Sequence, residues 1–417
     1  MSQPFLLSRR DAILVFLAFA AAYFLSALIR SITATISPAL TAELALGAKD
    51  LGLLAGGYFL GFAAMQLPLG HWLDRHGPKR VILSLLAIAV IGCVAFSWAG
   101  GFIGLLLARI LCGVGVSACL MAALTGYRRW FDSATLMRAN SWMLMTGSLG
   151  MVASTLPVQW LMPLFGWRAL FVGLAVLLAL AMLLIYWQVP AWSKKPMTAP
   201  THPIGQKPPS PGYAEVWAHP YFRKMAPIGF FTYGGLVAMQ TLWVVPWMTR
   251  VAGYTPIEAA TGLFWLNIGM LVSFWLWGLL SPWLVKRGLN AERLITAGMP
   301  LSFIFLALVI FAAGRLGPWT ALGLTLYCMS CTFVSLAQPS VGMAFPAALA
   351  GRALSAYNLV IFSGVFIIQW GIGLLIDGFR ALGLTEVAAF QASLGVFLVC
   401  CVGSYLHFLL AAGIKKP

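Results

Sequence analysis

The chain has 417 residues, is 61% hydrophobic and only 9% charged, far from the roughly one-quarter charged composition of a soluble domain. A net charge of +16 could suit a nucleic-acid binder, but apolar runs fill nearly the whole length. Lipid, not water, is the expected solvent.

A membrane-crossing helix needs about 20 apolar residues. Taken in chain order, the runs predict spans at 12–36, 51–73, 81–99, 102–126, 138–162 and 168–188. After a polar connector they resume at 226–249, 257–284, 294–313, 318–341, 353–377 and 386–410. The fold class is therefore an all-α integral membrane protein with twelve transmembrane helices. Ser8-Arg9-Arg10 before the first run imitates an export signal, but that run contains Arg30, lacks a clear cleavage site and exceeds the about 7–15 residues of a signal core. It is read as span one. The connector 189–224 holds eight prolines, seven of them from Pro190 to Pro211, and cannot be helical for long. It divides the chain into a six-helix half at 1–188 and a second at 225–417.

With both termini placed in the cytoplasm, 19 of the 26 Lys and Arg fall on the cytoplasmic side and two, Arg30 and Arg109, within spans. Only Lys49, Arg168, Arg250, Arg315 and Arg380 face outside. This positive-inside bias explains the basicity as topology. No nucleic-acid partner is implied, and a multi-pass protein of the inner (plasma) membrane is expected.

All ten Asp and Glu lie in loops or at span ends, so no carboxylate is expected mid-membrane. Arg30, by contrast, lies well inside span one. Tyr23, Ser26, Arg30, Thr33 and Ser37 recur at spacings of three and four, sharing one helix face. A charge there is costly in lipid, about 2.5–3.5 kcal/mol on insertion scales, so the face should line a cavity. A bound anion is the expected partner for the guanidinium, whose planar fork fits a carboxylate or phosphate. The alternative is an arginine snorkelling to the outer interface. Further cavity candidates are Tyr58 and Gln66 in span two, and Tyr233, Gln240 and Trp243 in span seven. Asn267, Tyr327, Asn358 and Gln369 complete the candidate substrate-binding set. Each could equally serve as glue between helices.

Between spans two and three stands Gly70-His-Trp-Leu-Asp74-Arg75-His-Gly77-Pro-Lys79-Arg80. The pattern Gly-x-x-x-Asp-Arg-x-Gly-x-Lys-Arg resembles the signature of the major facilitator superfamily of transporters. Arg109-Ile-Leu-Cys-Gly113-Val-Gly115 resembles that family's span-four motif, and Gly166-Trp167-Arg168 with Phe171 another of its features. A shift of 211 residues lays Ser281-Pro-Trp283-Leu-Val-Lys-Arg-Gly288 on Gly70 to Gly77, supporting two parallel repeats with a substrate site at their interface. The resemblance implies that Asp74 faces the start of span eleven. With Gly70, Gly77, Arg75, Lys79 and Arg80, and a guanidinium such as Arg138 or Arg352, it would form a cytoplasmic latch. A mere topology-setting loop is the alternative, although Val285 replaces the acid in the second repeat. Arg109 is open between structural anchoring and a coupling role.

The drug–proton antiporter motif Gly-Pro-x-x-Gly-Gly is absent from span five, which reads Gly147-Ser-Leu-Gly150-Met-Val-Ala-Ser-Thr-Leu-Pro157. Organophosphate exchangers of the family pair an arginine in span one with another in span seven. Here span seven reads Met239-Gln-Thr-Leu-Trp243, which favours a singly charged organic acid. The expected function is secondary transport of a small organic anion by alternating access, as proton symport or anion exchange, in a functional monomer. Drug efflux and a transporter-like sensor are the rivals. No enzyme activity, cofactor or metal site is expected. The histidines form no ligand cluster, no phosphate-cradling Gly-rich loop occurs, and Cys328-x-x-Cys331 reads as helix packing.

Overall fold

The computed structural model describes residues 6–192 and 212–411, leaving aside the side chains of residues 133, 134, 137, 281, 282, 285, 347 and 348. Most of the connector, including Pro196, Pro200, Pro203, Pro208, Pro209 and Pro211, lies outside the described residues, as does the side chain of Val285. Among the described residues there is helix and no strand. Nine helical runs are long and apolar enough to cross a membrane, and a pair bent by 45°, Ala48–Ala64 with Gln66–His76, makes a tenth.

Two of those runs are compound. Gly166, at φ 70°, breaks Leu156–Gln188, and Gly317, at φ 49°, separates Ala291–Ala312 from Thr320–Cys331. Both angles suit glycine, which has no Cβ to clash. Twelve crossings result. Span one is Arg9–Leu44, two is the bent pair, three is Pro78–Trp98 and four joins Phe102–Val116 to Cys119–Trp130. Span five runs from Ser133–Ala153 to the Gly166 break and span six from there to Gln188. Spans seven to twelve occupy 220–250, 256–286, 291–312, 320–343, 347–381 and 386–410.

Span one is the largest departure from the expected boundaries. Its 36 residues continue through Pro38, well past the predicted end. At 1.5 Å per residue such a helix exceeds the roughly 30 Å hydrocarbon core, so its last turns stand outside the bilayer. There Glu43 pairs with Arg168 and accepts a hydrogen bond from Trp167 Nε1 at 2.7 Å. The Gly166-Trp167-Arg168 motif thereby ties the start of span six to the end of span one.

Small residues set the helix spacing. A Cβ on Gly113 would lie 1.9 Å from the Tyr58 carbonyl oxygen, and one on Gly61 2.3 Å from that of Ile110, so spans two and four touch backbone to backbone. Spans one and five meet the same way: a Cβ on Gly150 would come within 2.3 Å of the Phe24 carbonyl, and Tyr23 lies across Gly147. The glycines of the sequence Gly147-Ser-Leu-Gly150 are thus packing positions for span one.

Candidate functional site

Span one packs by its apolar side and turns its polar face inward: Ser26, Thr33 and Ser37 are all buried. Arg30 lies on this face with its Nε buried and without a hydrogen-bond partner. The groups acting on its guanidinium are the phenols Tyr58 from span two, Tyr23 from span one and Tyr233 from span seven, and none is a carboxylate. Tyr23 is held by Gly147, and the Tyr58 hydroxyl donates to the Ser26 carbonyl at 3.4 Å. Arginine, three hydroxyls and no acid leave the cation uncompensated. Such a group calls for an anion from outside the chain.

Arg109 stands directly behind. It is fully buried, donates from Nη1 to the Ile29 carbonyl at 3.0 Å and lies 5.1 Å from the Tyr58 ring centre. It therefore braces the backbone one residue before Arg30 and the ring that faces Arg30, while its own Nε and Nη2 remain unpartnered.

The other candidates separate into pairs. Gln240 Nε2 donates to Asn267 Oδ1 at 2.7 Å, joining spans seven and eight. Gln369 Nε2 donates to Thr241 Oγ1 at 2.9 Å and its carbonyl accepts from Trp243 Nε1 at 3.2 Å, joining spans eleven and seven. Asn358 accepts from Gln338 at 2.6 Å, between spans ten and eleven. Gln66 bonds only to the Phe62 carbonyl of its own turn, and Tyr327 is buried among Cys328, Cys331 and Cys401. Of the candidate set, then, Tyr23, Tyr58 and Tyr233 gather around Arg30, with Ser26 and Thr33 on its helix face. Thr33 Oγ1 and Gln369 Oε1 are buried and unpartnered.

Two stretches of span seven, Ile228–Tyr233 and Met239–Trp243, are π-helical. Tyr233, Gln240 and Trp243 all fall in them. A π turn shifts the backbone register and re-aims side chains, and such turns concentrate at functional sites. Sequence reasoning named the three residues and had no signal for the turns that present them.

At the loop between spans two and three, Asp74, Arg75 and Arg80 are exposed, and Lys79 sits 5.2 Å over the Tyr186 ring. Gly77 turns at φ 79° and backs onto Trp192, whereas a Cβ on Gly70 would meet nothing within 4 Å. Gly70 therefore faces open space, while Leu69 and Leu73 carry the packing of this segment. Arg138 and Arg352 carry interactions of their own, and ion pairs form at Glu43–Arg168, Lys224–Glu292 and Arg250–Glu386. Asp74 is in none of them.

A cleft of about 340 Å³ opens among the ends of spans one, two, seven, eleven and twelve that lie away from the Asp74 loop, with Ser37, Thr41, Trp243, Arg250 and Arg380 lining it. Its floor is the outward continuation of the Arg30 face. A larger groove of about 900 Å³, between spans eight and ten, is lined by Trp265 and Trp319 and lies apart from Arg30.

Twelve crossing helices around a polar, charged interior define a membrane transporter. The Major Facilitator Superfamily profile matches residues 19–369, and the chain belongs to that family. It is a secondary transporter and not an enzyme. The probable sulfoacetate transporter of Cupriavidus necator is 24% identical over 74% of this chain and 75% of its own length. The probable L-galactonate transporter of Escherichia coli is 25% identical over 69% and 66%. A bacterial homologue of the human lysosomal transporter Spinster, solved inward-facing and unoccupied, superposes with a TM-score of 0.77 at 19% identity over 97% of both chains. A D-xylose–proton symporter gives 0.76 at 13% identity over 97% and 98%.

Proposed function

We propose that the chain carries a small organic anion across the inner membrane, with both termini cytoplasmic and the monomer as the working unit. Two six-helix units, 1–188 and 225–417, joined through 189–224, would rock about an anion held by Arg30. The observation that carries this reading is the uncompensated Arg30 guanidinium among three phenols. The names of similar chains agree in kind: sulfoacetate, L-galactonate, hexuronate and 4-hydroxybenzoate all bear an acid group. Purified protein in proteoliposomes should take up one such labelled acid, with competition by other organic acids and not by lipophilic cations. Competition by the cations alone would overturn the reading in favour of drug export.

Coupling, on this reading, resides in the anion, which enters with its own proton or exchanges for another anion. The outer carboxylates are already committed: Glu258 accepts from Thr255 N and Oγ1, both at 2.8 Å, and Glu386 pairs with Arg250 at 3.3 Å. Glu258→Gln, Asp377→Asn and Glu386→Gln should each leave the shape of the pH profile of uptake unchanged. A flattened profile with substrate binding retained would assign the proton to that carboxylate.

Asp74 would act as a cytoplasmic latch in the opposite conformation, where the span-eleven helix start and a guanidinium come within reach. Asp74→Asn is expected to slow transport several-fold with ligand affinity nearly intact. A normal rate in proteoliposomes would reduce the loop to a topology signal.

A further inference from the structure

The carboxylate at the far end of span eleven is not idle. Asp377 Oδ1 accepts from the Ala48 amide at 3.2 Å and Oδ2 from the Lys49 amide at 2.9 Å, across 329 and 328 residues of sequence. Those amides open span two, where a helix leaves its first N–H groups unsatisfied and presents its positive end. Asp377 belongs to the last six spans and the amides to the first six. The bond therefore crosses between the two units.

It also sits at the top of a longer seam. Gln369, Gly373 and Asp377 follow one another at intervals of four and share one face of span eleven. A Cβ on Gly373 would lie 2.3 Å from the Ala48 carbonyl oxygen, and one on Gly52 2.3 Å from that of Gln369. Spans two and eleven thus touch along their outer halves. Below the seam, Trp243 and Thr241 of span seven bond to Gln369. Span two's own acid, Asp50, accepts from the Gly47 amide at 3.2 Å, which leaves the Ala48 and Lys49 amides to the carboxylate of span eleven.

We propose that Asp377 is an extracellular latch: its carboxylate, clamped on the first amides of span two, holds the outer gate shut while Asp74 at the other end of span two is released. The proposal rests on the alternating-access reading above and adds to it the group that biases the outer gate. Opening to the outside requires the two charge-assisted bonds to break, and closing re-forms them.

Thr33 provides a reporter that needs no substrate. It is fully buried, one turn outward from Arg30 and one turn beneath the cleft residue Ser37. In the full chain carrying Thr33→Cys, a membrane-impermeant trimethylammonium-bearing methanethiosulfonate is applied from outside to right-side-out vesicles. The rate is corrected for the native cysteines, of which six are buried and Cys400 is half-buried. Adding Asp377→Asn or Asp377→Ala is expected to raise the labelling rate about tenfold, and Asp50→Asn to leave it unchanged. Unchanged labelling in both Asp377 variants, with elution of folded protein on size exclusion, would overturn the latch. Equal acceleration by Asp50→Asn would also overturn it, by reducing the effect to helix capping. Because no transported anion enters the measurement, this result stands apart from that of the uptake assay.

Discussion

Arg30→Ala is expected to abolish stabilisation of the purified protein by organic acids such as sulfoacetate or galactonate in a thermal-shift titration. Arg30 is the charged group that the phenols of Tyr23, Tyr58 and Tyr233 surround, and no carboxylate is among the groups acting on it. Hydrogen bonds to a charged group contribute about 1.5–3 kcal/mol each, so losing a two-bond fork should weaken binding by at least about a hundredfold. Arg30→Lys should recover little, because an ammonium presents one point of charge where the guanidinium presents two parallel donors. An undiminished response in Arg30→Ala would remove the site from span one altogether.

The second large effect comes from one substitution made at two glycines. Gly113→Val places its Cβ 1.9 Å from the Tyr58 carbonyl, inside the first six spans. Overpacking a fixed contact costs about 1–3 kcal/mol or more, and here backbone, not a yielding side chain, stands in the way. The expected result is a marked fall in folded yield and in melting temperature. Gly52→Val makes a similar clash, 2.3 Å from the Gln369 carbonyl, but at a seam between units that must part in the transport cycle. On the proposed mechanism the protein can relieve the clash there by opening outward. Near-normal yield, with transport lost and Thr33→Cys readily labelled from outside, is expected. Equal destabilisation by both substitutions would show that spans two and eleven never separate.

The spans were legible because the bilayer imposes one rule on every residue of a crossing, and a break in apolar character marks nearly every exit. Span one escaped it. Its apolar character fades near Pro38, yet its backbone remains helical to Leu44, since a helix needs no lipid to continue. The Arg30 face could be read from spacing alone, because i, i+3 and i+4 geometry is local. The pairing of Gln240 with Asn267, or of Gln369 with Thr241, could not. Those bonds depend on how far each helix is rotated against its neighbour, which composition does not encode. Asp377 was hidden for another reason: its partners are backbone amides, which every sequence possesses and none advertises. The π turns of span seven leave no residue pattern either, being a change in which carbonyl each amide chooses.

The missing carboxylate beside Arg30 also has an electrical side. On the proposed mechanism the empty site is more positive by one elementary charge than the site holding a monovalent anion, and Arg109 contributes equally to both forms. Each charge moved across the field of a membrane costs or gains about 2.3 kcal/mol per 100 mV. In a cell that is negative inside, returning the empty site from cytoplasm to exterior is uphill by that one charge relative to returning it filled. Net uptake of the bare anion, which must cross empty once per cycle, is therefore held back by the membrane voltage, whereas entry together with a proton moves no net charge. Anion-for-anion exchange, which never crosses empty, escapes this penalty. Had span one supplied an aspartate beside its arginine, the empty carrier would have been neutral there, and the same charge would have been moved on the filled step instead.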